Sequence, residues 1–174
     1  AARGAAVVVN DLDRHHASEV AAEVIRADGR AIVVTSDIST DDGAREPIAA
    51  AVDEFGRVDI VVNNAGVLRS APFADMTATV WDHVIAVNLR GTFLVTHAAW
   101  PHFVEQGYGR VVNTASTAGI IGNFGQANYG AAKMGLVGFT RVLAAEGARS
   151  NIKANAIAPI AKTRMTEDLL GPMG

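Results

Sequence analysis

Five short runs rich in valine, isoleucine and alanine recur along the chain, at Ala5–Asn10, Ala31–Thr35, Val58–Asn63, Arg110–Ala115 and Ile152–Ala158, with a longer helical segment between each pair. A strand that is apolar at nearly every position has no face to give to water, so the runs predict a mostly parallel sheet covered on both faces by helices. Strand and helix alternating throughout is the pattern of an α/β, doubly wound domain. The helical segments are expected at about Asp13–Ala27, Asp41–Phe55, Thr77–Glu105 and Ala127–Arg149, with Gly29, Gly56, Gly107 and Gly109 where the chain must turn out of a helix. Pro101 predicts a kink or break within the third of them.

The 174 residues read as a single domain over 1–174, with no repeat, linker or low-complexity tract. A net charge of -3 with no run of lysine or arginine offers no electrostatic footprint for nucleic acid or an anionic membrane. The absence of cysteine excludes a disulfide framework, thiolate catalysis and cysteine-ligated zinc, and makes a reducing compartment, the cytoplasm, the expected location. The opening apolar run is far too short to span a bilayer and has no charged region or cleavage pattern around it.

In open sheets of this class, ligands sit outside the carboxyl ends of the strands. Those ends are polar here. Asp11, after the first run, can accept hydrogen bonds from both hydroxyls of an adenosine ribose and would repel a 2′-phosphate, which favours NAD over NADP; it can equally cap the next helix. Asp37, followed by Ile38, could accept from an adenine amino group, with the same capping alternative. Asn63-Asn64-Ala65-Gly66 follows the third run, where small residues would let a flat ring approach the backbone, although the same residues form turns. Ser116 follows the fourth run. Pro159 and Thr163 follow the fifth, with Thr163 close enough to reach a nicotinamide carboxamide.

Tyr129 and Lys133 lie four residues apart in Tyr129-Gly-Ala-Ala-Lys133, hence on one face of a helix. A free phenol titrates near ~10, too high for a base at neutral pH, and a fixed cation beside it would favour the phenolate. With Ser116 holding the substrate oxygen, these groups would move a proton at an alcohol or ketone. The same helix is apolar almost all round, with Gly130, Gly135 and Gly138 open to close approach, so either another segment of the chain or a second copy must cover it. Homo-oligomerisation, as a homodimer or homotetramer through the helices containing Asn88 and Tyr129, is the expectation. Asp11, Asp13, His15 and His16 read as an exposed helix start and not as a metal site, because adjacent helical residues point in different directions. Arg69 could face the substrate entrance.

Taken together, Asn63-Asn64-Ala65-Gly66, Asn88 in Val87-Asn88-Leu89-Arg90-Gly91, Ser116, Tyr129 and Lys133 resemble, in order and spacing, the motifs of the short-chain dehydrogenase/reductase family across nearly the whole chain. The resemblance implies a Rossmann-like fold and an oxidoreductase in which Tyr129 exchanges the hydroxyl proton and Ser116 orients the oxygen. It further implies that Lys133 lowers the tyrosine pKa and holds the nicotinamide ribose, and that Asn88 anchors a water in a proton relay. Cofactor contacts are implied at Asp11, Asp37, Ile38, Asn64, Ala65, Gly66, Tyr129, Lys133, Pro159 and Thr163. Within the family, Gly122–Tyr129, Asn155–Ala161 and Thr163–Thr166 are similar to the (3R)-hydroxyacyl-CoA dehydrogenase domains of multifunctional enzymes and their bacterial relatives. A small-molecule 3-hydroxyacyl-CoA or similar 3-hydroxy compound is the implied substrate.

The family's glycine-rich phosphate-binding turn does not precede the first run, and Ala1–Gly4 fits the end of the helix that would follow it. The resemblance thus starts one strand and one helix late and stops before the last strand. Two expectations result: a partial record of an NAD-dependent dehydrogenase, or a truncated polypeptide that serves as an inactive interaction module.

Overall fold

A computed structural model describes residues 1–159 of the chain. The five expected strands are β1 (Ala6–Asn10), β2 (Arg30–Val34), β3 (Ile60–Asn63), β4 (Gly109–Thr114) and β5 (Ile152–Ile157). Every ladder among them is parallel, as the unbroken apolar runs require. They form two sheets. In one, β1 pairs with β2; in the other, β4 is central between β3 and β5. No ladder joins β1 to β3 among the described residues.

The connecting helices are α1 (Arg14–Arg26), α2 (Asp41–Phe55), α3 (Ala78–Ile85), α4 (Thr92–Gln106), α5 (Thr117–Ile120) and α6 (Ala127–Gly147). Local chemistry sets their ends. Asp13 caps α1 through the His15 and His16 amides, Thr40 caps α2 through Gly43, and Gly56 and Gly107 stop α2 and α4 in the left-handed conformation that a glycine adopts without strain. One apolar cluster unites Ala44, Ile48 and Ala51 of α2 with Val95, Ala99 and Phe103 of α4, Leu143 of α6, and Val61, Val111, Ile152 and Ala154 of the β3–β5 sheet. These three helices therefore cover one face of that sheet. Val8 of β1 packs on the same cluster, so the apolar layer continues across the point where the strand ladder is interrupted. On the opposite face of β3, Ile60 and Val62 are exposed.

The segment expected as one helix with a break near Pro101 is organised differently. Pro101 lies inside an unbroken α4, and the irregularity falls fifteen residues earlier by number, at a π-helical stretch, Ala86–Gly91, between α3 and α4. The carbonyl that Pro101 leaves without a donor belongs to His97, on the exposed side, where water can take it. A π-turn admits one extra residue, which rotates everything beyond it and here brings Asn88 into the interior, fully buried.

A chain of buried hydrogen bonds crosses the layers. Asn63 donates to both Thr96 Oγ1 and Asn113 Oδ1, Asn113 donates to Thr140 Oγ1, and Thr140 donates to the Leu136 carbonyl of α6. On the α4 side, Thr96 donates to the Thr92 carbonyl and Thr92 to the Asn88 carbonyl. All of these side chains are buried, and each partner removes a desolvation cost of roughly 1–3 kcal/mol that an unpaired group would carry.

Candidate active site

The carboxyl ends of β3 and β4 and the start of α6 bring Asn88, Ser116, Tyr129 and Lys133 together. Ser116 ends the β4 connection in extended conformation and caps α5, its Oγ accepting from the Ala118 amide at 3.2 Å. Helix α5 is a single turn pressed against α6. A Cβ built on Gly119 would fall 2.7 Å from the Met134 amide nitrogen, and one on Gly130 would fall 3.1 Å from the Ala118 carbonyl oxygen. Only glycine permits the approach at Gly119, and the approach sets the Ser116 hydroxyl close enough to the Tyr129 phenol to favour the phenolate. The glycine within Tyr129-Gly-Ala-Ala-Lys133 thus has a packing task.

Lys133 is buried, and its Nζ donates to the Thr114 carbonyl at 2.7 Å while lying 5.5 Å from the centre of the Tyr129 ring. Loss of hydration lowers its pKa to about 8. The expectation that this ammonium depresses the tyrosine pKa is not met in the ligand-free site: burial raises the phenol above its usual value, and the nearby Ser116 hydroxyl opposes that only in part. The reason is geometric, since the lysine is anchored on a backbone carbonyl.

Asn88 donates to the Val67 and Val84 carbonyls, at 2.9 and 3.0 Å. Its Oδ1 is buried with no partner among the described residues, facing Gly66: a Cβ there would lie 2.5 Å from Asn88 Oδ1 and 3.6 Å from Lys133 Nζ. The absence of a side chain at Gly66 is therefore what lets the Asn88 amide oxygen pack against the end of β3, with the Lys133 ammonium close by.

The expected cofactor-side residues divide. Asn64 accepts from Thr114 Oγ1 at 3.2 Å, tying the ends of β3 and β4, and Ala65 is exposed beside Gly66. Asp11 is exposed and accepts from the Asp13 amide; the cap of α1 is Asp13 itself, not Asp11. Asp37 accepts from the amide and hydroxyl of Ser39, which hold its carboxyl below the usual value, so this residue builds the turn into α2. Ile38 turns its side chain against Gly91 and the core, leaving its backbone as the part that a ligand could reach. Pro159 is exposed after β5, and Thr163 lies outside the described residues. His15 and His16 face Glu19 and Asp13 at the start of α1, at 3.4 and 3.1 Å. Arg69 bonds its neighbour's carbonyl, that of Leu68.

Sequence reasoning missed two clamps. Asn10 bonds reciprocally with Ser36, from its amide to the carbonyl and from the Ser36 amide and hydroxyl to its Oδ1, locking the ends of β1 and β2. Arg90 reaches from the π-turn to the Ser39 carbonyl and to Asp41 at 3.0 Å, joining the Asp37 loop to the Asn88 segment. A polar residue at a strand's last position was the only available signal for the first; nothing local announces the second.

A half-buried Tyr and a buried Lys one helical turn apart, Ser on the turn packed against that helix, and Asn on a π-turn beside a glycine-bearing strand end make up a dehydrogenase-type site. The model of the short chain dehydrogenase family matches residues 1–171, and the chain belongs to that family. It is 53% identical over 181 residues to a short-chain type dehydrogenase/reductase of Mycobacterium tuberculosis, covering 99% of this chain and 63% of that one. It is 45% identical over 179 residues to the peroxisomal multifunctional enzyme type 2 of Mus musculus, covering 98% of this chain and 24% of that one. The crystal structure of a short chain dehydrogenase from Mycobacterium avium superposes with a TM-score of 0.88 at 40% identity, over 95% of this chain and 62% of that one. The chain spans less than two thirds of the length of each of these three proteins. Among the described residues, no helix is long and apolar enough to cross a membrane.

Proposed function

We propose that this chain carries the proton-transfer site of an NAD-dependent oxidoreductase that interconverts a secondary alcohol and a ketone, with a 3-hydroxyacyl thioester as the substrate class. The observation that carries the proposal is the packing of the Ser116 turn against α6 at Gly119 and Gly130, with the buried Lys133 ammonium held on the Thr114 carbonyl 5.5 Å from the centre of the Tyr129 ring.

Ser116 holds the substrate oxygen beside the phenol. In ketone reduction Tyr129 gives its proton to that oxygen, and burial favours the protonated phenol that this step needs. In alcohol oxidation the phenolate takes the hydroxyl proton as the carbinol C–H pair leaves as hydride. The nicotinamide, when bound, supplies the hydride acceptor or donor. The residues present fit such a group: Asn88 Oδ1 is a buried acceptor still without a donor among the described residues, and the Lys133 ammonium stands close to the same Gly66 backbone, a donor for a ribose hydroxyl or a relay water. Asn64, Ala65 and Gly66 would form the floor, Lys133 would hold the nicotinamide ribose, and Pro159 and Thr163 would lie toward the carboxamide. Asp37 and the Ile38 backbone would meet the adenine. The exposed Asp11 carboxylate would bind the adenosine ribose hydroxyls and disfavour a 2′-phosphate, which is the basis for NAD over NADP.

The thioester assignment rests on the segments around the site and on relatives named as peroxisomal multifunctional and hydratase-dehydrogenase-epimerase enzymes. A second copy of the chain is the proposed cover for the outer face of α4 and α6, where Phe93, Met134 and Val142 are exposed and a Cβ on Gly138 would meet nothing. The cysteine-free composition supports a reducing compartment such as the cytoplasm. Fluorescence titration with NADH and NADPH, followed by absorbance assays with 3-ketoacyl-CoA, steroid and sugar ketones, tests the reading. Binding of NADH with turnover of 3-ketoacyl-CoA is expected; no binding of either dinucleotide would sink it.

A further inference from the structure

The residue before the tyrosine is fully buried and uses both donors and the oxygen of its amide. Asn128 Nδ2 donates to the Arg69 carbonyl at 3.0 Å and to the Val80 carbonyl of α3 at 3.3 Å, while its Oδ1 accepts from the Tyr129 backbone amide at 2.7 Å. That amide is among the first donors of α6, which no carbonyl of the preceding turn can satisfy within the helix. The cap residue, Gln126, makes no side-chain bond to fill the role.

The carbonyl of Arg69 belongs to a strap held at alternate residues. Val67 O accepts from Asn88 Nδ2 at 2.9 Å, Arg69 O from Asn128, and the Ala71 amide donates to Gly125 O at 2.9 Å. One end of the strap is thus fixed to the π-turn that carries Asn88, and the other to the start of α6, which carries Tyr129. Asn128 is the member of this set that bonds both the strap and the backbone of the tyrosine. All three of its partners are backbone atoms of the chain.

We propose that Asn128 is a positioning residue: it bolts the strap and α3 to the Tyr129 backbone and thereby sets the phenol's place relative to Asn88 and Ser116. The proposal rests on the dehydrogenase reading above. A misplacement of about 1 Å at a reacting group costs on the order of a hundredfold in rate, so a bolt of this kind is expected to act on kcat far more than on binding.

The informative variant is Asn128→Asp in the intact protein. It has the same shape and keeps the acceptor for the Tyr129 amide, but an ionised carboxylate donates nothing and faces two carbonyl oxygens. The expected result is a fall in kcat of roughly tenfold or more, with the Kd for NADH within about threefold. The variant-to-wild-type kcat ratio should rise as pH falls toward the carboxyl's titration, because the protonated carboxyl regains one donor. Amide hydrogen exchange at Ala71 and Tyr129 should quicken at neutral pH. A role in capping or packing alone, which Asn128→Asp conserves, predicts an unchanged kcat and a flat ratio, and that outcome overturns the proposal. A parallel loss of kcat and NADH affinity overturns it as well. If the unaltered protein binds no dinucleotide and turns over no ketone, the dehydrogenase reading falls and this role falls with it; if the unaltered protein is active and Asn128→Asp retains its kcat, only the positioning role is lost.

Discussion

The Lys133 ammonium is bonded to the Thr114 carbonyl at 2.7 Å and stands 5.5 Å from the centre of the Tyr129 ring. In this arrangement burial governs both titrations, and each is pushed toward its neutral form: the phenol upward, the ammonium down to about 8.

The first expectation concerns the direction of catalysis. With the phenol raised above its ordinary value, ketone reduction finds its proton donor ready across neutral pH. Alcohol oxidation depends on the minor phenolate and should climb by about tenfold per pH unit below that pKa. Initial rates in both directions between pH 6 and pH 9, together with the loss of turnover in Tyr129→Phe, measure this. A flat oxidation profile would show that the lysine leaves Thr114 and depresses the phenol once ligands bind.

A second prediction concerns stability. The folded pKa of Lys133 is depressed, so below about 8 the fold holds a poorly hydrated ammonium, and the unfolded chain binds more protons between about 8 and 10.5. Stability from this group therefore rises with pH across that window, by up to about 3 kcal/mol in the limit. In urea titrations Lys133→Met should gain most over the wild type near pH 7, and the gap should narrow toward pH 9.5.

Gly119→Ala should separate α5 from α6. The added Cβ would meet backbone atoms, Met134 N at 2.7 Å and Lys133 C at 3.0 Å, which cannot swing aside. The Ser116 turn is then displaced from Tyr129, and kcat should drop by roughly a hundredfold while NADH affinity changes little. Equal loss in both parameters would mean that the glycine serves the fold as a whole.

Gly66→Ala tests the contact with Asn88. Its Cβ would meet Asn88 Oδ1 at 2.5 Å, displacing the amide from Val67 and Val84. Weaker NADH binding by calorimetry is expected, and unchanged binding would place the nicotinamide side elsewhere.

Gly138→Leu adds bulk where, among the described residues, nothing beyond its own stretch of helix stands within 4 Å. The monomer fold should survive by circular dichroism, while sedimentation should show a shift from oligomer to monomer. Identical sedimentation of the two proteins would remove α6 from the interface.

The strands and the catalytic set were legible because each has a local signal. Unbroken apolar runs mark buried parallel strands, and Tyr129 and Lys133 share a face by spacing alone. The π-turn was not legible, since one inserted residue leaves the apolar pattern of Thr77–Glu105 nearly intact, while Pro101 carries a strong local signal that an exposed carbonyl makes harmless. Asn128, Asn10 and Arg90 were missed for another reason: their partners lie 59, 26 and 51 residues away, and an asparagine or arginine in isolation gives no sign of which distant carbonyl it will meet.

The buried bonds that run from Thr96 through Asn63 and Asn113 to Thr140 also limit how this sequence can drift. Changing Asn113 alone leaves Asn63 with only Thr96 and Thr140 with only the Leu136 carbonyl in a dry interior, so single substitutions there are losses even when the new side chain fits. Only concerted replacement of several members can reach an apolar alternative. Descendants of this chain would have to cross a valley of unstable intermediates, and a polar seam that performs no chemistry would then outlast many of the residues around it.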